Sequence, residues 1–175
     1  MMNDPQIIPQ TFSAGEIADR VAVLARDIRA DAGDAEILLV GVLKGASVFL
    51  ADLLRAIPGP VRYHFVDVIY SERSLEQITD IFFVTHFPIE GQHIYLLKDV
   101  VSTGITENYL LSHLRLRNPA LLKLVALLDR PADRRLHLNV DYSLFEVNKG
   151  IFVGYGLDHD GNHENLPYLG ALSPL

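Results

Sequence analysis

The apolar run Ile94 to Leu97 is long enough to cross a sheet, and it passes through Lys98-Asp99-Val100-Val101 into the polar turn Ser102-Thr103-Gly104-Ile105-Thr106. Glu107 to Arg117 then carry leucines at helical spacing. A turn that ends a strand and opens a helix leaves main-chain N–H groups unpaired and pointing the same way, and such a group of donors attracts anions. Gly104 allows close approach of the main chain to a ligand, and the Ser102, Thr103 and Thr106 hydroxyls add donors for phosphate oxygens. An ordinary helix cap with a turn glycine would use the same residue types. The rest of the chain decides between the two.

The remaining segments repeat this logic. Glu36 to Leu43 is apolar on both faces, which requires cover on both sides and predicts a parallel sheet with flanking helices. Lys44-Gly45 follows at its carboxyl end, and Ala46 to Ile57 reads as a helix closed by Pro58-Gly59-Pro60. Leu121 to Leu128 is another buried strand, ending at Asp129-Arg130-Pro131. Before these, residues 1 to 12 read as a loose lead-in. Ser13-Ala14-Gly15-Glu16 has capping-box spacing ahead of a helix carrying Ile17, Val21, Leu24 and Ile28. Val61 to Tyr70 is a strand, Ser71 to Gln77 has no period and reads as a mobile loop, and Ile81 to His86 returns as a strand. Tyr142 to Val147 and Ile151 to Tyr155 are short strands joined by the turn Asn148-Lys149-Gly150. Gly156 to Glu164 is polar and acidic, and Leu166 to Leu172 follows. The order predicts an α/β open sheet, which binds ligands outside the carboxyl ends of its strands. Lys44, Asp99, Ser102 to Thr106 and Arg130 all fall there.

At 175 residues with 49% hydrophobic content, residues 1–175 are expected to form one domain with a substantial core. The chain has no cysteine, which removes disulfides and thiolate metal sites. A net charge of −7 argues against nucleic-acid binding, and the absence of a long apolar run argues against a membrane span and for a cytoplasmic protein. Arg130, Arg134 and Arg135 read as a solvated basic loop. His159 and His163 have an i, i+4 spacing that zinc uses on helices, but Gly161-Asn162 is poor helix material, and a solvated acidic loop is the expectation.

Four segments together resemble the hypoxanthine-guanine phosphoribosyltransferases, a branch of the type I phosphoribosyltransferases. Val42 to Leu53 looks like the pyrophosphate-loop strand and helix, Leu96 to Thr106 like the phosphoribosyl-pyrophosphate motif, and Leu127 to Pro131 like the purine-selecting loop. Ile151 to Asp158 with Leu166-Pro167-Tyr168-Leu169-Gly170 looks like the C-terminal signature. The resemblance implies a type I phosphoribosyltransferase fold, a mostly parallel central sheet flanked by helices with a small hood from the terminal segments. It implies an enzyme, a pentosyltransferase of purine salvage, that moves phosphoribose from phosphoribosyl pyrophosphate to hypoxanthine or guanine, with Mg2+ as cofactor and GMP or IMP as product. A homodimer or homotetramer is implied as well.

By position, the resemblance puts the 5′-phosphate on Ser102, Thr103, Gly104, Ile105 and Thr106, a ribose hydroxyl on Asp99, and pyrophosphate on the main chain of Lys44 and Gly45, with a cis peptide between Leu43 and Lys44. Arg130, Ile151, Phe152 and Val153 would frame the purine, Tyr70 and Ser71 would belong to a lid, and Asp158 would bind the metal. The chain departs from the family pattern at the chemistry itself. Lys98 replaces one member of an acidic pair. Ser102 replaces an aspartate assigned to proton transfer at the purine nitrogen, and Arg130 replaces a lysine. Glu164 stands where an ungapped count from Asp158 puts a pyrophosphate-clamping arginine, and Lys98 is a candidate partner for it. Against the active enzyme these changes set a second reading, an impaired homologue that binds purine nucleotide as a sensor or regulatory subunit.

Overall fold

Strand β2 (Ile37–Val42) is buried along its whole length, and the alternation of its side chains shows why both faces must be apolar. Leu39 joins Tyr95 and Leu97 on one side of the sheet, under helices α1 (Ala14–Ala32) and α2 (Ser47–Ala56), in a core that includes Ile17, Ile28, Phe49 and Leu53. Leu38 and Val40 join Ile94 and Leu96 on the other side, against Leu110, Leu111 and Leu114 of helix α3 (Ile105–Arg115). Full burial of one such side chain contributes about 1.5–3 kcal/mol. A one-residue slip in register would exchange the two faces. The computed structural model describes residues 8–71, 74–83 and 87–172, with the backbone alone for 69–71 and 74–83.

The central sheet has the order β4-β3-β2-β5-β6-β7, with β3 (Val61–Ser71), β4 (Ser74–Phe83), β5 (His93–Val101), β6 (Leu121–Asp129) and β7 (Tyr142–Glu146). All its neighbours pair in parallel except β3 and β4, which form an antiparallel edge. A second, antiparallel sheet joins β1 (Gln10–Phe12), β9 (Leu169–Ala171) and β8 (Phe152–Val153). This is the small hood built from both terminal segments. Ser13 caps α1 as its spacing implies, its Oγ accepting from the Glu16 N–H at 3.1 Å. The capping-box helix, the buried strands and the parallel order therefore stand as read.

Three local expectations are corrected. The stretch taken as a mobile loop, Ser71 to Gln77, is largely strand: Tyr70 pairs with Ile78 and Ser71 with Ser74 in the β3–β4 edge, while 72 and 73 lie outside the described residues. His86, the end of the strand read from Ile81, also lies outside them. The strands either side of Asn148-Lys149-Gly150 form, but the second is only Phe152–Val153 and not Ile151 to Tyr155, because β7 extends the central sheet while β8 enters the hood. Finally, the lead-in contains β1, whose backbone pairs with β9, a partnership 160 residues away that no local pattern reveals.

Candidate active site

Because β2, β5 and β6 run in parallel, their carboxyl ends reach one edge, with Val101 of β5 paired to Asp129 of β6. Where β2 leaves the sheet, the peptide between Leu43 and Lys44 is cis, as the resemblance implied. Gly45 then passes so close to β5 that a Cβ on it would lie 2.0 Å from Oδ2 of Asp99. The other Asp99 oxygen accepts from the Val100 N–H at 2.8 Å and from the Lys98 ammonium. Lys98 and Asp99 are both largely shielded from water. Lys98 thus pairs with its neighbour and not with Glu164, which is the partner of Lys44: Lys44 Nζ donates to Glu164 Oε1 at 2.6 Å and lies 3.9 Å from Asp158 Oδ1. The Glu164 hydrogen bond raises the Lys44 pKa above the ordinary lysine value.

These residues border a cavity of about 380 Å³. Lys44, Gly45 and Asp99 line one part of it, Arg130, Ile151 and Phe152 another, and Asp158 a third. Phe152 is 5% exposed and stacks on Phe12 at 6.2 Å between ring centroids, and Phe12 in turn stacks on Phe145 at 3.9 Å. Phe152 is therefore both a core aromatic and a cavity wall. Ile151 is exposed, whereas Val153 is fully buried, pairs with Gly170, and does not border the cavity. The Arg130 guanidinium carbon lies 6.0 Å from the Phe152 ring, and its Nη2 donates to the Gly150 carbonyl. Its Nε is buried without a hydrogen-bond partner among the described residues. A ligand oxygen at that point would satisfy a donor whose burial is otherwise costly.

Beside the cavity, Gly104 adopts φ +83° and caps α3 without a side-chain hydrogen bond. Ile105 N–H donates to Thr103 Oγ1 at 3.4 Å, but the main-chain N–H groups of Thr103 and Gly104 meet no acceptor among the described residues. The turn is therefore open, as an anion site requires. It is braced from the following loop: Arg134 Nη1 donates to the carbonyls of Val101 at 2.8 Å and Ser102 at 2.5 Å, while its Nη2 pairs with Asp129. The Arg135 N–H donates to Thr103 O at 3.0 Å. Arg134 is thus not part of a solvated basic loop, a correction to the charge-run reading. Ser102 Oγ donates to Asp133 Oδ2 at 3.2 Å.

The sequence reading missed Asp133 and Arg134, and also Glu107. Glu107 has the look of an exposed first-turn acid but is 3% exposed, and burial raises its pKa despite the nearby Lys98 charge. Its position on the α3 face that carries Leu110, Leu111 and Leu114 was the available signal. Tyr70 and Ser71 lie at the end of β3, and the lid role read for their side chains falls outside what is described of those residues. The segment after Asp158 is an exposed turn, with positive φ at Asp160, Gly161 and His163, so its two histidines do not share a helix face. Asp158 Oδ2 accepts the Gly161 N–H at 2.9 Å and so caps this turn while also facing the cavity. Among the described residues no group of three or more histidine, aspartate or glutamate side chains could enclose a metal. Isolated carboxylates still suit magnesium, which takes one or two from the protein and completes its shell with water and substrate phosphates.

The phosphoribosyl transferase domain family matches residues 12–160, the stretch that carries the parallel sheet with its open anion turn and its Lys-Gly turn at one carboxyl edge. The chain is 36% identical over 171 residues to the hypoxanthine-guanine phosphoribosyltransferase of Mycobacterium avium, covering 93% of this chain and 84% of that protein. It is 34% identical over 165 residues to that of Bacillus subtilis, covering 93% and 92%. Among solved structures it resembles a hypoxanthine-guanine phosphoribosyltransferase of Bacillus anthracis, with a HEPES molecule in its active site, at TM-score 0.89 and 29% identity over 96% of this chain and 100% of that one. The Trypanosoma cruzi hypoxanthine phosphoribosyltransferase in complex with the product IMP matches at TM-score 0.88 and 33% identity, over 98% of both chains. The chain belongs to the hypoxanthine-guanine phosphoribosyltransferase family.

Proposed function

We propose that this protein is a purine phosphoribosyltransferase, transferring phosphoribose from phosphoribosyl pyrophosphate to a ring nitrogen of hypoxanthine or guanine and yielding IMP or GMP in nucleotide salvage. The observation that carries the reading is the juxtaposition, at one sheet edge, of the open Thr103–Gly104 amides and the cavity walled by Arg130 and Phe152. Relatives matching nearly the whole chain bear the enzyme's name, which does not favour the binding-only alternative. The 5′-phosphate would sit on Ser102 to Thr106, where α3 begins and its dipole favours negative charge. The base would lie between Arg130, Ile151 and Phe152, with the Arg130 Nε available to an exocyclic oxygen. Val153, buried and paired with Gly170 of β9, would act on the slot only by holding its neighbour Phe152 in the hood sheet.

The reacting carbon becomes positive as pyrophosphate leaves, so the protein's task is to hold two anions and a flat base in line. Gly45 and Lys44 would supply main-chain donors to pyrophosphate, Asp99 would hold a ribose hydroxyl, and the β3–β4 edge bearing Tyr70 and Ser71 would cover the centre. Magnesium, when bound at Asp158, would neutralise charge on the departing pyrophosphate. The same reading covers a cytoplasmic setting, one working domain over residues 1–175, a homodimer or homotetramer, and no nucleic-acid or membrane partner. No helix among the described residues is long and apolar enough to cross a membrane. Incubation with phosphoribosyl pyrophosphate, magnesium and each purine tests it: nucleotide and pyrophosphate appear in equal amounts with hypoxanthine or guanine, and no turnover with either base contradicts it.

A further inference from the structure

We infer that Asp133, acting through the Ser102 hydroxyl, receives the proton that the purine ring nitrogen loses in the transfer, an inference that rests on the phosphoribosyltransferase reading. Bond formation between the ring nitrogen and the ribose carbon releases an N–H proton, and a serine hydroxyl alone does not hold it near neutral pH. Ser102 opens the anion turn at the end of β5, next to Val101, whose carbonyl accepts from the Arg130 N–H at 2.9 Å, and Arg130 lines the cavity. Its Oγ donates to Asp133 Oδ2 at 3.2 Å, which leaves the oxygen lone pairs of Ser102 free to accept.

The other carboxylates at this edge are engaged elsewhere. Asp99 is in a direct ion pair with Lys98, Asp129 with Arg134, and Asp158 caps its own turn and faces Lys44. Asp133 is the carboxylate that carries the Ser102 hydrogen bond, on Oδ2, and the Arg130 guanidinium faces the same oxygen at 4.0 Å. The step balances: the ring nitrogen bonds to C1′ as the bond from C1′ to the pyrophosphate oxygen breaks, and pyrophosphate departs with that electron pair. The ring proton passes to Ser102 Oγ while the hydroxyl proton of Ser102 passes to Asp133 Oδ2. Asp133 is thus a positioning residue that makes the Ser102 hydroxyl an acceptor.

The test compares the wild type with Asp133→Asn, Ser102→Ala and the double variant Ser102→Asp/Asp133→Asn, measuring steady-state turnover and GMP binding by titration. Asp133→Asn and Ser102→Ala are expected to lower kcat about 100-fold, the scale of a lost general base, and in Asp133→Asn KM for the base and GMP affinity stay within about threefold. The double variant, which places a carboxylate directly at 102, is expected to recover most of that loss. A merely structural role for Asp133 would not be rescued this way. Unchanged kcat in Asp133→Asn, loss of its GMP binding, or no recovery in the double variant overturns the inference while wild-type turnover stands. Absence of turnover in the wild type instead overturns the enzyme reading beneath it.

Discussion

The Lys44 ammonium and the Glu164 carboxylate, 120 residues apart in sequence, meet at 2.6 Å beside the cavity, so a cation placed to meet an anionic substrate is already engaged by the protein. Both side chains are substantially exposed, at 60% and 38%, so the pair is screened by water and salt. A carboxylate here repels an incoming pyrophosphate group and competes for Lys44. Glu164→Gln is therefore expected to lower KM for phosphoribosyl pyrophosphate by about two- to fivefold at low ionic strength, shrinking as salt is added. Kinetics at two salt concentrations check this, and an unchanged or raised KM contradicts it.

Gly45 faces a different constraint, since a Cβ there would meet Asp99 Oδ2 at 2.0 Å. Asp99 cannot simply swing away, because its other oxygen is held by Lys98 and by the Val100 N–H. Gly45→Ala is expected to displace Asp99 or the Lys44-Gly45 turn, costing about 1–3 kcal/mol as overpacking does. The melting temperature should fall by several degrees, and kcat/KM should fall at least tenfold because both groups belong to the proposed site. Melting curves and steady-state kinetics read the two effects; a fully active variant would show that the turn is not needed in this geometry.

Glu107 supplies the pH prediction. Its carboxyl is buried and its folded pKa is raised, chiefly by desolvation. Between the unfolded value near 4.5 and the higher folded value, the native state holds a proton that the unfolded chain has released, so stability falls as pH rises through that window. Glu107→Gln cannot titrate and lacks this loss. The melting temperature of the variant relative to wild type is expected to increase as pH rises from about 4.5 to about 8. A difference that is constant or that shrinks with pH would contradict the sign.

Most of the frame was legible because one rule governs it: strands apolar on both faces need helices on both faces, and β2, β5 and β6 satisfy that rule. The open turn at Thr103 and Gly104 and the Lys44-Gly45 turn were legible for a related reason, since each follows directly from the strand before it. What stayed hidden depends on partners remote in sequence. Edge pairing of polar β4 and closure of β1 on β9 carry no periodic signal. Charge composition likewise could not separate Arg134, folded back onto the carbonyls of Val101 and Ser102, from a solvated arginine. Lys44 shows the same limit, because the carboxylate it meets, Glu164, reaches it only when the C-terminal loop packs against the β2 turn, whereas Lys98 pairs with its own neighbour Asp99.

The central claim is that one edge of the sheet holds a nucleotide, with its phosphate on the amides beyond Asp99 and its base against Phe152. A crystal structure of the protein with GMP tests this most directly. Phosphate density within hydrogen-bond distance of the Thr103 and Gly104 N–H groups, with the guanine beside Phe152 and Arg130, is the expected result. GMP bound elsewhere, or absent at saturating concentration, would contradict it.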